Sequence, residues 1–469
     1  MRVAIVGAGL AGSECAYVLA KKYKISVTLF EMKKIKMTPA QVNKNVFAEL
    51  VCSNTFKSVS HLNASGLLKH ELKKLGSLVL DAAYSHQVPA GEALAVDRDA
   101  FSHFVTKEIK SSPYIEVVDK VVESLDDITN KEFYDAIVIA TGPLTEEHFI
   151  HSLSKLIDKE QLYFYDAIAP ILNGDTIDRN IVFKANRKTR SSEHLNLNKE
   201  DEGDYLNIPL SKKEYFDFIE KVKNAPKVPH HDFEDVKYFE SCKPIEALVE
   251  SGDMTLAFSS MKAKGLFEPK TGQEPFSVVQ LRKEKIGDES WNMVGFQTRM
   301  TWQAQKEVFR TLPGLSNVEF FRLGSLHRNT YFISPDILNK NLSFKANKNI
   351  FLAGQIMGVE GYLESTAMGN LVGHIIGKSL KENNKLSLPP KDTALGALCH
   401  YLLYSEAKFF SPVNIHWGLI EALEKKDIYK FLDKDKEKTP RKFFKSLKRE
   451  ALFNRACESF KAWYENNFN

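Results

Sequence analysis

The first strand, turn and helix pattern of the chain constrains its fold more than any other feature. The segment "RVAIVGAGLAGSECAYVLAKKYKISVTLFEMK", residues 2–33, runs from a β-branched stretch through a glycine turn and a helix-periodic stretch to a second β-branched stretch. Gly7, Gly9 and Gly12 occupy the glycine positions of a GxGxxG pattern. They permit a tight turn, a close approach of backbone to a pyrophosphate, and close packing of helix on strand, respectively. The segment therefore predicts a βαβ unit that binds a dinucleotide.

Two polar features of that unit predict how the dinucleotide is held. The helix after the turn begins with N–H groups that have no partner within the helix, and the positive end of its dipole lies there, which suits phosphates. Glu31 ends the second strand. A carboxylate at that position can accept a hydrogen bond from a ribose 2′-hydroxyl.

Two later segments extend the prediction to a flavoprotein. The segment "FYDAIVIATGPL" predicts a buried strand that ends at Thr141 and Gly142. The segment "KNIFLAGQIMGVEGYLESTAMGNLVGHIIGKSL" predicts a short strand that reaches Gly354 and Gln355, followed by a helix. Both resemble segments that flavoproteins of the glutathione-reductase type place beside FAD. The order of the three segments favours FAD over NAD alone and implies a cofactor domain built from both ends of the chain.

The predicted fold class is α/β, with a FAD-binding Rossmann-like (glutathione-reductase-type) domain, an α+β insertion domain and a helical C-terminal region. Polar loops, proline turns and β-rich runs such as "PFSVVQLRKE" distinguish the insertion from its flanks. The FAD-binding domain is predicted at residues 1–150 and 325–400. The insertion, which would meet substrate or RNA, is predicted at 151–324, and the helical basic region at 401–469.

The composition is that of a globular protein, with 43% hydrophobic and 26% charged residues. No run of about 18 apolar residues occurs, so no membrane span is predicted. The first strand starts directly after Met1 and Arg2, which leaves no room for a signal peptide and predicts a cytoplasmic location. Scattered cysteines without a CxxC or Cys/His spacing predict neither a disulfide framework nor a metal site. The cysteines are Cys15, Cys52, Cys242, Cys399 and Cys457.

The end of the chain accounts for the formal net charge of +4, because residues 421–469 hold 13 Lys and Arg against 9 Asp and Glu. A lysine-rich segment with interleaved aromatic residues can lie along the phosphates of RNA. Its apolar residues also recur at helical spacing, which favours the simpler interpretation of a solvated amphipathic helix.

Two of the cysteines are candidates for chemistry. Cys242 in "YFESCKPIEAL" stands beside Lys243, whose ammonium favours a thiolate, and before Pro244, which restricts the following turn. Cys52 in "FAELVCSNTF" lies where an apolar stretch meets a polar loop. From the residues alone, each of the two thiols could be a nucleophile, a redox group or core filler.

Several longer blocks of the sequence resemble one enzyme family. They include "GAGLAGSE", "FAELVCSN", "VPAGEALAVDR", "YFYDAIAPI", "VGFQT", "HRNTYF" and "AGQIMGVEGYLES", in this order. Together they are similar to the folate- and FAD-dependent RNA uracil-5-methyltransferases, in particular to the bacterial enzymes that act on transfer RNA. The similarity covers residues 1 to about 415. The chain departs from the family near residues 186–203 and after about 420, which affects RNA contacts more than chemistry.

The resemblance implies a reaction and its cofactors. FAD, 5,10-methylenetetrahydrofolate as carbon donor and NAD(P)H as reductant would methylate C5 of a uridine in RNA, most naturally the T-loop uridine of tRNA. By motif match, Cys242 corresponds to the nucleophile that adds to uracil C6. Cys52 matches the second functional cysteine, which removes the C5 proton or guards the flavin adduct. The sequence itself does not separate the two roles, and it does not predict an oligomeric state.

Other interpretations stay open at this point. The same chemistry could act on a uridine of 23S ribosomal RNA, or the chain could be a flavin-dependent NAD(P)H oxidoreductase without an RNA substrate. A flavin-binding, RNA-associated protein without catalysis is a third alternative. Arg282 and Arg328 could bind folate glutamates or phosphate, or could form surface ion pairs.

Overall fold

The computed structural model describes residues 1–130, 132–157, 162–187, 203–228, 243–285, 287, 289–431 and 444–468. Its strands are β1 (Arg2–Val6), β2 (Ser26–Glu31), β3 (Thr55–Ser58), β4 (Gln87–Val88), β5 (Ala93–Val96), β6 (Ile115–Asp119), β7 (Ala136–Ile139), β8 (Leu162–Ala167), β9 (Ile171–Asn173), β10 (Phe183–Lys184), β11 (Tyr205–Leu210), β12 (Ser277–Lys283), β13 (Ser290–Met293), β14 (Phe320–Arg322), β15 (Leu326–Tyr331) and β16 (Ile350–Leu352). Its helices are α1 (Leu10–Tyr23), α2 (Ala64–Leu75), α3 (Leu78–Ser85), α4 (Arg98–Ser111), α5 (Asp126–Thr129), α6 (Glu147–Ile157), α7 (Lys212–Asn224), α8 (Ile245–Glu250), α9 (Thr255–Phe258), α10 (Trp302–Phe309), α11 (Ser334–Ile337), α12 (Tyr362–Lys381), α13 (Ala394–Tyr404) and α14 (Phe444–Phe468).

Both ends of the chain contribute to one five-stranded sheet. Its order is β16-β7-β1-β2-β6, and every neighbouring pair is parallel. The apolar residues of β1 and β7 are buried, as expected for a parallel sheet that is covered on both faces. Because the strands are parallel, the carboxyl ends of β1, β2, β7 and β16 lie along one edge. The glycine turn, Glu31, Thr141 and Gly354 follow or end these strands at that edge.

Helices α1 and α12 pack closely against each other, although they come from opposite ends of the chain. A Cβ atom at Gly369 of α12 would lie 2.2 Å from the carbonyl oxygen of Ala11 in α1. Only a glycine at this position lets the two backbones approach so closely. The contact joins the late segment of the chain to the first βαβ unit.

The insertion forms a second, antiparallel sheet with its own core. The strand order is β10-β11-β12-β13-β9-β14. Helices α7, α8 and α10 contribute buried residues to the core of this sheet, including Phe218, Ile245 and Phe309. A two-stranded sheet of β15 and β8 and a three-stranded sheet in the order β3-β5-β4 complete the described architecture. The structure confirms the predicted α/β fold with an α+β insertion, and the exact domain boundaries stay predictions.

The C-terminal region is helical, as predicted. Helix α14 buries Leu452, Phe460 and Trp463, and the indole N–H of Trp463 donates to the carbonyl oxygen of Ser387 at 2.8 Å. The helix therefore packs onto the cofactor domain rather than extending into solvent alone. Within the described ranges, no helix combines the length and the apolar character needed to cross a membrane.

Candidate active site

The glycine turn leaves open space at the carboxyl edge of the parallel sheet. Gly7 has a φ of 100°, and a Cβ atom there would lie 2.6 Å from the carbonyl oxygen of Ala140. A Cβ atom at Gly12 would lie 1.8 Å from the carbonyl oxygen of Gly7. At Gly9, in contrast, no atom lies within 4 Å of the Cβ position, and no side chain caps α1. The backbone at Gly9 and the start of α1 can therefore receive a phosphate.

Glu31 is buried beside this turn and holds it in place. One carboxylate oxygen accepts the N–H of Ala8 at 2.6 Å, and the other accepts the N–H of Lys33 at 2.8 Å. Each carboxylate oxygen can accept more than one hydrogen bond, so Glu31 can still bind a ribose hydroxyl. The residue therefore has a structural role in addition to the cofactor contact predicted from the sequence.

The residues predicted to bind the cofactor gather around one pocket, with one exception. Gly12 is not part of the lining, and it instead lets α1 pack beneath the turn. The pocket runs from the glycine turn to the start of α12, where Tyr362 lines it, and this extended shape fits a dinucleotide such as FAD. The predicted residues in the lining are Gly7, Gly9, Glu31, Thr141, Gly142, Gly354 and Gln355.

Cys52 lies in a loop at the α12 end of the pocket. It is a free, half-buried cysteine, and the preceding residue, Val51, lines the pocket. The hydroxyl oxygen of Tyr362 accepts the backbone N–H of Cys52 at 2.7 Å and that of Ser53 at 3.2 Å. The structure thus places the Cys52 loop against the start of α12, beside the pocket.

Two arginines hold the carbonyl groups of the same loop. Arg98, at the start of α4, donates to the carbonyl oxygen of Leu50 at 2.7 Å. Arg322, at the end of β14, donates to the carbonyl oxygen of Val51 at 3.0 Å. One anchor comes from the cofactor domain and the other from the insertion sheet, so the loop is fixed between them.

Asn54 adds a second connection between the loop and the insertion sheet. Its buried amide donates to the carbonyl oxygens of Val96 and Lys283, each at 3.1 Å, and its side-chain oxygen accepts from Arg282 at 2.9 Å. Arg282 is only 6% exposed. It is therefore not the surface ion pair considered from the sequence, and its Nε is used to position Asn54. Arg328 lies in β15, opposite Tyr165 of β8.

Burial and neighbouring charges together set the ionisation of the groups around Cys52. Burial alone would lower the pKa of Arg98, but the pKa is raised because the neighbouring groups Glu284, Tyr362 and Cys52 together outweigh burial; the strongest of the three is the Glu284 carboxylate, 2.5 Å from Arg98 Nε. Burial also raises the pKa of Tyr362. At neutral pH the guanidinium is charged and the Tyr362 hydroxyl keeps its proton. The tyrosine can therefore accept two N–H groups and still donate one hydrogen bond.

Cys242 lies outside the described residues, which resume directly after it. Pro244 then precedes α8, in which Glu246 is buried. The Glu246 carboxylate accepts the hydroxyl of Thr298 and, at 3.3 Å, the N–H of Arg299. The "KPIE" block that follows the predicted nucleophile is therefore fixed to the loop after β13.

The comparisons with known proteins agree with this architecture. A family model described as Glucose inhibited division protein A (GIDA) matches residues 2–384. In a solved structure, GidA of Aquifex aeolicus in its form I crystal superposes with a TM-score of 0.65 at 14% identity and covers 98% of this chain and 76% of that chain. At this identity the superposition shows a shared fold alone.

Curated relatives match over nearly the whole chain. The protein of Bdellovibrio bacteriovorus is 45% identical over 437 residues, which is 93% of this chain and 95% of that protein. The proteins of Syntrophus aciditrophicus and Myxococcus xanthus are 42% and 46% identical, over 98% and 90% of this chain and 97% and 89% of their own lengths. All three carry the name methylenetetrahydrofolate–tRNA-(uracil-5-)-methyltransferase TrmFO.

Proposed function

Because this chain belongs to the GidA family and to the TrmFO methyltransferases within it, we propose that it methylates C5 of a uridine in tRNA. The carbon would come from 5,10-methylenetetrahydrofolate, with FAD as cofactor and NAD(P)H as reductant. The observation that carries the proposal is the attachment of the Cys52 loop to Tyr362 at one end of the dinucleotide pocket. The cytoplasmic location predicted from the sequence is part of the same proposal.

The pocket residues divide between the parts of FAD. Gly9 and the start of α1 would hold the pyrophosphate, and Glu31 would hold the ribose. Gln355 and Tyr362 would meet the other end of the cofactor. When bound, FAD supplies the reduced ring that carries the one-carbon unit and the electrons that convert it into a methyl group.

The two cysteines would act on the uracil ring from different parts of the chain. Uracil C5 is a poor nucleophile until a thiolate adds to C6, because this addition moves the C5–C6 π electrons into an enolate. We assign that addition to Cys242. Cys52, beside the cofactor pocket, would then take the proton from C5 after the new carbon–carbon bond has formed. Loss of the Cys242 thiolate would restore the C5–C6 double bond.

A reconstitution assay tests the proposal. The purified protein, 5,10-methylenetetrahydrofolate with a labelled methylene carbon, NADPH and an unmodified tRNA transcript should yield labelled 5-methyluridine, detected by mass spectrometry of nucleosides. An unmodified 23S ribosomal RNA fragment in place of the tRNA tests the alternative target. Methylation that requires S-adenosylmethionine and ignores folate would contradict the proposal, as would NADPH oxidation that needs neither folate nor RNA.

A covalent capture experiment tests the cysteine roles. RNA that contains 5-fluorouridine should form a stable adduct with the wild-type protein, because fluorine at C5 cannot leave as a proton does. Cys242→Ala should abolish the adduct, whereas Cys52→Ala should not. Cys457→Ala, on the C-terminal helix, is the matched control. An adduct that persists in Cys242→Ala and disappears in Cys52→Ala would reverse the assignment.

A further inference from the structure

A second cleft, of about 980 Å³, adjoins the cofactor pocket. It lies between the loop after β2, the connection from β7 to α6, and the α10 and β14 region of the insertion sheet. The cleft and the cofactor pocket are continuous, because several residues line both. The shared residues are Met32, Thr38, Pro143, Leu144, Thr145 and Glu146.

Large apolar side chains are exposed around this cleft. On the insertion side, Trp302 is 68% exposed and Phe321 is 60% exposed. On the side of the cofactor domain, Val42 is 72% exposed and Met37 is 41% exposed. Single exposed apolar residues are ordinary, but a group of them around one concave surface marks a binding site. Two of the four are aromatic, so the cleft suits a flat ring.

The charges at the cleft indicate which kind of ring-bearing ligand fits. Lys36 Nζ lies 3.1 Å from Glu146 Oε1, and the lysine side chain is 58% exposed against 7% for the glutamate. The pair therefore presents its cationic end to solvent. Lys306, one helical turn after Trp302 on α10, is also exposed. Glu147 lines the cleft as well. Aromatic surface thus lies inside the cleft and cationic groups lie near its rim.

We propose that the cleft binds an unpaired base of the RNA substrate, stacked on Trp302 and Phe321, with the neighbouring phosphates near Lys36 and Lys306. This inference rests on the proposed RNA methyltransferase function and adds a substrate contact to it. Unpaired RNA bases stack on aromatic side chains while the backbone follows cationic groups. Because the cleft is continuous with the cofactor pocket, a nucleotide held there keeps the adjacent RNA close to the chemistry.

Tryptophan fluorescence can report on this contact in the FAD-loaded protein. Trp302 is the most exposed of the four tryptophans, since Trp291 and Trp463 are buried and Trp417 is half-buried. Titration with an unmodified tRNA T-arm stem-loop should quench the emission to saturation. Trp302→Leu should remove this quenching and weaken RNA binding about 5- to 100-fold, as expected for the loss of one stacked base.

Additional variants distinguish the loss of a stacking contact from a general loss of folding or of FAD binding. Phe321→Leu should weaken RNA binding in the same range, and Trp302→Tyr, which keeps a ring, should bind within about threefold of the wild type. Phe133→Leu is the matched control, because Phe133 is 81% exposed but precedes β7, at the opposite end of the sheet from the pocket. It should leave RNA affinity unchanged. FAD absorbance and thermal melting should match the wild type in all four variants.

Several results would overturn the inference. RNA affinity at the wild-type level in both Trp302→Leu and Phe321→Leu would exclude stacking at the cleft. A changed KM for NADPH with unchanged RNA affinity would assign the cleft to the reductant, and a changed sedimentation mass would assign it to a second copy of the chain. If the wild type binds the stem-loop with quenching but makes no 5-methyluridine, the methyltransferase proposal fails while the stacking contact stands.

Discussion

The hydroxyl of Tyr362 joins two segments that lie 310 residues apart in the chain, because its oxygen accepts the backbone N–H of Cys52 at 2.7 Å. The same oxygen accepts the N–H of Ser53 at 3.2 Å. Tyr362 is the first residue of α12 and lines the dinucleotide pocket. The start of that helix therefore sets the position of the Cys52 backbone relative to the cofactor pocket.

Replacement of Tyr362 by phenylalanine tests this relationship. The variant keeps the ring but leaves two N–H groups without an acceptor, which should lower the free energy of unfolding by about 1–3 kcal/mol. Methylation should slow by about 10-fold or more because the Cys52 thiol is less well positioned. FAD affinity should change little. Tyr401→Phe, which removes a hydroxyl that donates to Ser411, is the control. Equal effects of both variants on turnover would contradict a positioning role for Tyr362.

The glycine turn offers two substitutions with opposite expected results. Gly12→Ala should unfold the protein or prevent its expression, because the new Cβ would overlap the carbonyl oxygen of Gly7.

Gly9→Ala, in contrast, has open space around the Cβ position and should leave the free energy of unfolding of the apoprotein within about 1 kcal/mol of the wild type. The same methyl group intrudes where the pyrophosphate would lie. FAD titration of the refolded apoprotein should therefore show at least a tenfold weaker affinity for Gly9→Ala. Wild-type affinity would remove Gly9 from the phosphate site.

The sequence predicts the cofactor pocket better than the surroundings of Cys52, for a physical reason. Gly7, Gly9 and Glu31 belong to one short βαβ unit, and their roles follow from local periodicity and turn chemistry. Tyr362 reaches the Cys52 loop only through the tertiary fold, and no spacing rule connects the two. Two of the segments that resemble the enzyme family, "VPAGEALAVDR" and "AGQIMGVEGYLES", contain Arg98 and Tyr362, respectively. They mark these residues without indicating what they contact.

A buried histidine in α12 should make the protein less stable at acidic pH. His374 is fully buried, with Nδ1 3.0 Å from the Tyr23 hydroxyl and Nε2 3.4 Å from the carbonyl oxygen of Leu75. Burial, assisted by the nearby charge of Lys22, lowers the pKa of His374 to about 3. Between pH 6.5 and about 3 the unfolded chain binds a proton that the folded chain does not bind. The free energy of unfolding should therefore fall as pH falls, by about 1.4 kcal/mol per pH unit from this one group.

Replacement of that histidine provides the test. His374→Gln retains hydrogen-bonding capacity but does not titrate, so urea unfolding at pH 7, 6, 5 and 4 should show a shallower loss of stability than the wild type. The free energy of unfolding of the variant, relative to that of the wild type, should therefore increase as pH falls. His103→Gln, at an exposed position in α4, should follow the wild-type curve. If the free energies of unfolding of His374→Gln and the wild type fall in parallel with pH, other groups cause the loss of stability in acid.

The ion pair between Arg98 and Glu284 should contribute more to stability than a neighbouring pair that joins the same two segments. Its side chains are 13% and 2% exposed, whereas those of Lys285 and Asp99 are 36% and 58% exposed. Arg98→Met leaves a buried carboxylate without its partner and frees the carbonyl of Leu50, which should cost about 3–5 kcal/mol of unfolding free energy.

Lys285→Met, the matched control, should cost less than about 1 kcal/mol because solvent screens its charge. The double variant Arg98→Met, Glu284→Gln should recover part of the loss, since it removes the unpaired charge. Strictly additive costs in urea unfolding would show that the two side chains are not coupled.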